Sequence, residues 1–140
     1  GTDTAAANTL DDYETGSWTP TAAVGSYTGT VNGTYTKVGR AVHLQCDIQG
    51  VTDITSAIDF YVSGLPFASK SGSAQYIGSL MTRYVNTAGT EAGCVTYLAP
   101  GESFIRLYFL AVGTTYVKVQ HADYVSSAVG IRIGMTYFTD

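Results

Sequence analysis

The chain has 140 residues, of which 45% are hydrophobic and only 13% are charged, and its formal net charge is −4. That length fits one domain with its own core, and the apolar content excludes a disordered chain. The acidic balance argues against a nucleic-acid partner, and no apolar run approaches the roughly 18 residues of a membrane-inserted helix. Since a soluble domain usually carries about 25% charged residues, the scarcity of charge needs an explanation.

Strand signals recur about every ten residues, whereas helix signals are nearly absent. Residues 18–24 are predicted to form a first strand. Asn32-Gly33 predicts a hairpin turn, because a type I′ turn needs two residues that tolerate positive φ. Residues 34–38 and 41–48 are then expected to pair across a second tight turn at residues 39–40.

Segment 41–48 has the clearest alternation in the chain. Its apolar side chains point one way and its polar side chains the other, which predicts an antiparallel strand with one buried face. The apolar set is Val42, Leu44, Cys46 and Ile48, and the polar set is His43, Gln45 and Asp47.

The second half of the chain continues the same pattern of short strands. Pro66 ends one of them, because proline cannot donate to a ladder. The whole set of eight to ten strands predicts an all-β fold, an antiparallel two-sheet β-sandwich of the jelly-roll kind. The further strands are predicted over residues 58–63, 75–84, 93–99, 103–110, 116–120 and 129–138.

Two of these strands carry little charge on the face that should meet solvent. Segment 104–110 is apolar on both faces. The last strand places Val129, Ile131, Ile133, Met135 and Tyr137 on one face, and its second face has little charge. Either a loop of the same chain covers these faces, or another subunit of a closed oligomer does, and we expect the second. The residues expected to face the core are Ile105, Leu107 and Phe109, and those assigned to a subunit interface are Phe104, Tyr108, Leu110 and Phe138.

The sequence lacks the converging polar groups that catalysis needs. His43 and His121 are the two histidines, and each is expected to be solvated or locally hydrogen-bonded. No nucleophile elbow, metal-spaced His/Cys cluster or phosphate loop occurs. The acidic group Asp11, Asp12 and Glu14 lacks the ligand spacing of a calcium loop and predicts a structural cap. We therefore expect no enzyme, no metal and no cofactor.

The two cysteines, Cys46 and Cys94, are too few for a disulfide scaffold. Both fall at strand positions beside apolar residues, so we expect buried thiols that behave as small hydrophobic side chains. A disulfide between them is the alternative, which requires Cα atoms within about 7 Å.

Four phrases, in order along the chain, resemble a known family. Residues 8–20 read Asn-Thr-Leu-Asp-Asp-Tyr-Glu-Thr-Gly-Ser-Trp-Thr-Pro. They resemble the opening of a C-terminal domain of bacteriophage tail fibres and tailspikes, Asn-Thr-Leu-Asp-Asp-Tyr-Glu-Glu-Gly-Thr-Trp-Thr-Pro. Residues 33–42 are similar to its Gly-x-Tyr-Thr-Lys-(Ile/Val)-Gly segment, residues 63–67 to its Ser-Gly-Leu-Pro-Phe segment, and residues 131–140 to its closing strand.

The resemblance implies a homotrimeric jelly-roll knob at the distal end of a fibre. It divides the chain into a linker, residues 1–12, from a preceding shaft or tailspike domain, and a knob, residues 13–140. It also implies a location in the virion, on the phage tail, after assembly in the host cytoplasm. In such a knob Trp18 would anchor the first strand in the core.

Two functions follow from the resemblance. The first is a receptor-binding tip whose partner is a host cell-surface polysaccharide or protein, with a glycan favoured. The second is a trimerisation domain without its own ligand. A depolymerase site, the third hypothesis, would belong to an absent upstream domain. A binding tip should expose aromatic side chains with polar rims near strand ends. The receptor candidates are Tyr84, Asn86, Tyr97, Asp123 and Tyr124.

Overall fold

The structure, a computed structural model, describes residues 12–86, 91–111, 113 and 115–140. These residues form an all-β fold whose one helical element is a single 3-10 turn, His121–Asp123. The ten strands are β1 (Tyr13–Trp18), β2 (Thr21–Ala22), β3 (Val31–Val38), β4 (Ala41–Gln49), β5 (Tyr61–Ser63), β6 (Tyr76–Arg83), β7 (Glu91–Leu98), β8 (Phe104–Ala111), β9 (Val117–Lys118) and β10 (Gly130–Phe138).

One antiparallel sheet contains the described strands, in the order β1-β3-β4-β10-β6-β7-β8-β5-β2, with β9 added on β8. β1 and β2 stand at opposite ends of this order although only Thr19 and Pro20 separate them in sequence. The sheet therefore curls until its two ends approach each other, and the apolar side chains fill the space it encloses. The predicted all-β antiparallel class is confirmed, while the division into two stacked sheets and the trimer stay predictions.

Asn32 and Gly33 lie inside β3, so the hairpin turn predicted there is wrong. Gly33 pairs with Trp18 on one side and with Cys46 on the other. A Cβ at Gly33 would lie 2.7 Å from the indole of Trp18, so a glycine is needed for the indole to cross the strand. Trp18 itself is buried, and its Nε1 donates a hydrogen bond to the carbonyl oxygen of Gln45 at 3.3 Å.

The tight turn at Gly39 and Arg40 is confirmed, since these two residues join β3 to β4. Gly39 has a φ of +57°, a left-handed conformation that glycine adopts without steric cost. The first strand begins earlier than predicted, at Tyr13, and ends at Trp18, two residues before Pro20. Only Thr21–Ala22 of the remaining predicted segment is a strand.

The predicted inner faces of β4, β8 and β10 are confirmed. Each strand alternates between buried and more exposed residues, as a strand with one face on the core must. The buried members are Val42, Leu44, Cys46 and Ile48 of β4, Ile105, Leu107 and Phe109 of β8, and Ile131, Ile133, Met135 and Tyr137 of β10.

Cys46 is buried as predicted, whereas Cys94 is only half-buried, next to the register shift between Glu91 and Gly93. The two cysteines do not form a disulfide. Burial raises the pKa of the Cys46 thiol to about 12. The thiol therefore stays protonated at neutral pH and packs as an apolar group.

Candidate binding surface

The outer face of β6, β7, β8 and β9 forms a groove of about 630 Å³ with aromatic side chains along it. We call it the tyrosine groove. It lies on the side of β8 opposite to the buried residues Ile105, Leu107 and Phe109. Its central residues are Ile77, Tyr97, Arg106, Tyr108, Tyr116 and Lys118.

Strand pairing brings these side chains together. Ile77 stands opposite Tyr97, and Tyr97 stands opposite Arg106 on the next strand. Tyr108 stands opposite Lys118. Directly opposed residues on neighbouring antiparallel strands project to the same face, so the order of the strands assembles the groove.

Three tyrosine rings make a row across the groove. The ring centroids of Tyr97 and Tyr108 are 5.8 Å apart at an interplanar angle of 82°. Those of Tyr108 and Tyr116 are 5.0 Å apart at 84°. This edge-to-face arrangement is one that aromatic pairs prefer, so each ring holds its neighbour in place. Tyr116, at the end of the row, is 63% exposed.

The two cations of the groove each have an acidic partner. Arg106 donates from its two terminal nitrogens to Glu102, at 2.6 and 2.5 Å, and its guanidinium lies 4.8 Å from the centroid of the Phe104 ring. The Nζ of Lys118 lies 2.7 Å from a carboxylate oxygen of Asp59. The hydrogen bond to Asp59 raises the pKa of Lys118. Both positive charges at the groove are thus balanced locally.

Apolar side chains extend the groove at its margins. Ile77 is 61% exposed and Leu110 is 41% exposed. Among the residues that the structure describes, none covers these two side chains.

The residues assigned to a subunit interface fall at different places. Tyr108 and Leu110 line the tyrosine groove. Phe104 shares their face of β8 and is half-buried, with its ring 5.0 Å from that of Tyr61. Phe138 is exposed, but it pairs with Ala41 on β4 and does not line the groove. Phe138 thus lies apart from the other three, because β6 and β7 separate β10 from β8, and the subunit interface stays a prediction.

The receptor candidates also separate into two groups. Tyr97 lies in the tyrosine groove, beside the predicted interface residue Tyr108. Asn86 and Asp123 meet elsewhere, where the backbone N–H of Asn86 donates to the carbonyl oxygen of Asp123 at 2.7 Å. Tyr84, nearby in the chain, is exposed and has a φ of +61°.

Tyr124 is 2% exposed, so the expectation of a surface aromatic there is wrong. Its ring packs against that of Phe60 at a centroid distance of 5.3 Å, and its hydroxyl lies 3.2 Å from the Oγ1 of Thr82. The 3-10 turn His121–Asp123 directly precedes it, and the side chain turns inward there. This burial raises the pKa of the Tyr124 hydroxyl.

The two histidines differ in their surroundings. His43 is exposed on β4 and hydrogen-bonds through Nδ1 to the hydroxyl of Thr136 at 2.8 Å, as predicted. His121 is buried rather than solvated, and its hydrogen-bond partner, Asp53, is distant in the sequence. Its Nδ1 lies 3.0 Å from the carbonyl oxygen of Asp53 and its ring is 4.6 Å from that of Phe60. A carbonyl only accepts, so this Nδ1 carries the hydrogen.

The acidic group at the start of the chain contacts the β3–β4 hairpin. The carbonyl oxygen of Asp12 accepts a hydrogen bond from the N–H of Gly39 at 3.1 Å, and Glu14 accepts one from the hydroxyl of Tyr35 at 2.5 Å. These contacts fit the predicted structural cap, while Asp11 lies outside the described residues. No group of three or more potential metal ligands occurs among the described residues. Within that part of the chain, no helix is long and apolar enough to span a membrane.

Comparison with known proteins identifies no matching family model, no similar curated protein and no similar solved structure. The resemblance of the four phrases to phage fibre domains therefore stays a resemblance. The sequence alone did not identify Arg106, Tyr116 or Lys118 as site residues. Their outward positions follow from alternation, but only the strand order places them beside Tyr97.

Proposed function

We propose that this chain is a non-catalytic adhesion module that binds a glycan on a host cell surface through the tyrosine groove. The proposal places it as the C-terminal knob of a trimeric phage tail fibre or tailspike, in the virion. The observation that carries the binding role is the row of Tyr97, Tyr108 and Tyr116 across an open groove. The resemblance of the four sequence phrases supports the phage setting.

The groove offers both kinds of contact that a sugar ring needs. The exposed ring of Tyr116 and the half-buried ring of Tyr108 suit the apolar C–H face of a pyranose, and their hydroxyls can donate or accept hydrogen bonds. The side chain of Gln75 stands at the same groove and adds an amide donor and acceptor. A shallow site of this kind binds weakly, and three copies on one fibre raise the overall avidity by about 10²–10⁴.

A second candidate function is assembly of the fibre without a ligand. The specific observation in its favour is the apolar margin of the groove, where Ile77 and Leu110 are exposed. Monomeric proteins rarely leave large apolar patches uncovered, and a second subunit could bury this one. The same face cannot serve both roles at once, so the two candidates can be separated.

A binding experiment separates them. The purified chain is screened on an array of bacterial surface glycans, and any hit is titrated with the Tyr108→Ala and Tyr116→Ala variants. We expect at least tenfold weaker binding for each, because each loses a stacking ring. Tyr13→Ala is the control: Tyr13 is an equally exposed tyrosine on β1, away from the groove.

Sedimentation of the same samples gives the second readout. A trimer that still binds glycan supports the proposal. A trimer that binds no glycan, and that dissociates when Leu110→Asp is introduced, supports the assembly role instead. Release of reducing sugar from a capsule polysaccharide by this chain alone would contradict both.

A further inference from the structure

We infer that the tyrosine groove selects an uncharged glycan over one that carries carboxylate, sulfate or phosphate groups. The inference rests on the proposed glycan-binding function and names the class of ligand. Recognition of an anionic sugar relies on positive charge that is not already neutralised, and each of the two groove cations is paired with a carboxylate.

Arg106 is the first reason. Its two terminal nitrogens both donate to the carboxylate of Glu102, in the two-point geometry that guanidinium and carboxylate groups favour. One face of the guanidinium is further occupied by the ring of Phe104, 4.8 Å away. An anionic ligand would have to displace Glu102 to make the same pair of hydrogen bonds.

Lys118 is the second reason. Its ammonium lies 2.7 Å from a carboxylate oxygen of Asp59. A ligand anion that approached Lys118 would therefore also approach Asp59, and the two like charges would repel. The remaining groove residues, the three tyrosines, Gln75 and the apolar side chains, are uncharged.

The charge of the whole chain acts in the same direction. With a formal net charge of −4, the chain repels an acidic polysaccharide at long range rather than steering it to the groove. A neutral hexose chain meets no such barrier, and its binding should respond little to salt, since no charge pair forms.

The test compares charged and uncharged oligosaccharides. Neutral glucose, galactose, mannose and N-acetylglucosamine oligomers, together with oligogalacturonate and oligosialic acid, are titrated against the chain at 20 and 500 mM NaCl. We expect a neutral oligomer to bind at least tenfold more tightly than either acidic one, with a Kd that salt changes less than about twofold. Tighter binding of an acidic oligomer, weakened by salt, would overturn the inference while leaving the proposed function intact. Binding of none of the six would contradict both.

Two variants test whether the two ion pairs cause the selectivity for uncharged glycans. Glu102→Gln frees the guanidinium of Arg106, and Asp59→Asn frees the ammonium of Lys118, so each should raise affinity for oligogalacturonate by about tenfold. Asp47→Asn is the matched control, because it removes the same charge from an ion pair with Arg132 outside the groove. An equal gain in all three variants would show an effect of net charge alone and would overturn the role given to the two groove ion pairs.

Discussion

Replacing Gly33 with alanine tests the contact that fixes the start of the fold. Gly33 lies in β3 directly opposite Trp18, and the indole crosses the strand where a side chain would project. An alanine Cβ would stand 2.6 Å from the carbonyl oxygen of Trp18 and 2.7 Å from two atoms of its indole. Ordinary van der Waals contact begins at 3.4 Å, so the added methyl group must push Trp18 away.

The size of the effect follows from what can move. The carbonyl belongs to the backbone of β1, which is paired with β3, and the indole is buried with its Nε1 bound to Gln45. Movement of either group disturbs packed structure. The substitution should therefore destabilise the fold by about 1–3 kcal/mol, as is typical of an overpacked core. Trp18 is the chain's single tryptophan, so its fluorescence reports the change at the site itself.

Urea unfolding followed by Trp18 fluorescence and by circular dichroism measures the loss. Gly134→Ala is the control: Gly134 lies in β10, and a Cβ there meets nothing within 4 Å, so it should be neutral or stabilise by about 0.4–1 kcal/mol. Asn32→Thr should change the stability by less than about 0.5 kcal/mol, because Asn32 is an exposed strand residue. A Gly33→Ala variant as stable as the wild type, or a costly Asn32→Thr, would refute the placement of these residues in β3.

Further predictions concern pH, thiol chemistry and the two faces of β8. Hydrogen bonds from the Ser56 hydroxyl and from the amides of residues 55 and 56 lower the pKa of Asp53 to about 2. The ionised Asp53 therefore stabilises the fold above about pH 4, and this stabilisation is lost as the pH falls through about 2. The free energy of unfolding should consequently fall less steeply with decreasing pH in Asp53→Asn than in the wild type. Cys46, with its pKa raised to about 12, should resist iodoacetamide at pH 8 until urea unfolds the chain, and fast native alkylation would contradict its burial. In β8, Phe109→Ala should cost about 3–5 kcal/mol, whereas Leu110→Ser should cost under about 0.5 kcal/mol; similar urea midpoints for the two would contradict the assigned faces.

The buried faces of the strands could be predicted because alternation is a local signal. Each side chain in β4, β8 and β10 lies on the face that its position in the sequence indicates. The Asn32-Gly33 pair shows where local signals fail. The same two residues suit a turn or a strand, and the choice depends on Trp18, which is distant in the chain and lies against Gly33.

The candidate site could not be predicted from the sequence, because it depends on the strand order and no short sequence pattern encodes that order. Tyr97 was expected to contact a receptor and Tyr108 a subunit, yet their ring centroids are 5.8 Å apart on adjacent strands. Tyr124 was expected at the surface because it lies beside Asp123 near a strand end, but its ring packs on Phe60. Burial at strand ends depends on which loop covers them, and residue type alone does not determine that.

The fold explains part of the scarcity of charged residues in this chain. Much of the apolar content fills the interior of the curled sheet, and a further part lies at the tyrosine groove, where uncharged side chains meet solvent. The few charges near the groove form pairs rather than a free patch.

The measurement that tests the central claim most directly is the dissociation constant of a bound glycan for three chains: wild type, Tyr108→Ala and Tyr84→Ala. Tyr108 is the middle ring of the groove, and Tyr84 is an exposed tyrosine elsewhere on the surface. We predict at least a tenfold increase in Kd for Tyr108→Ala and no change for Tyr84→Ala. The opposite pattern, with binding lost only in Tyr84→Ala, would contradict the assignment of the tyrosine groove as the binding site.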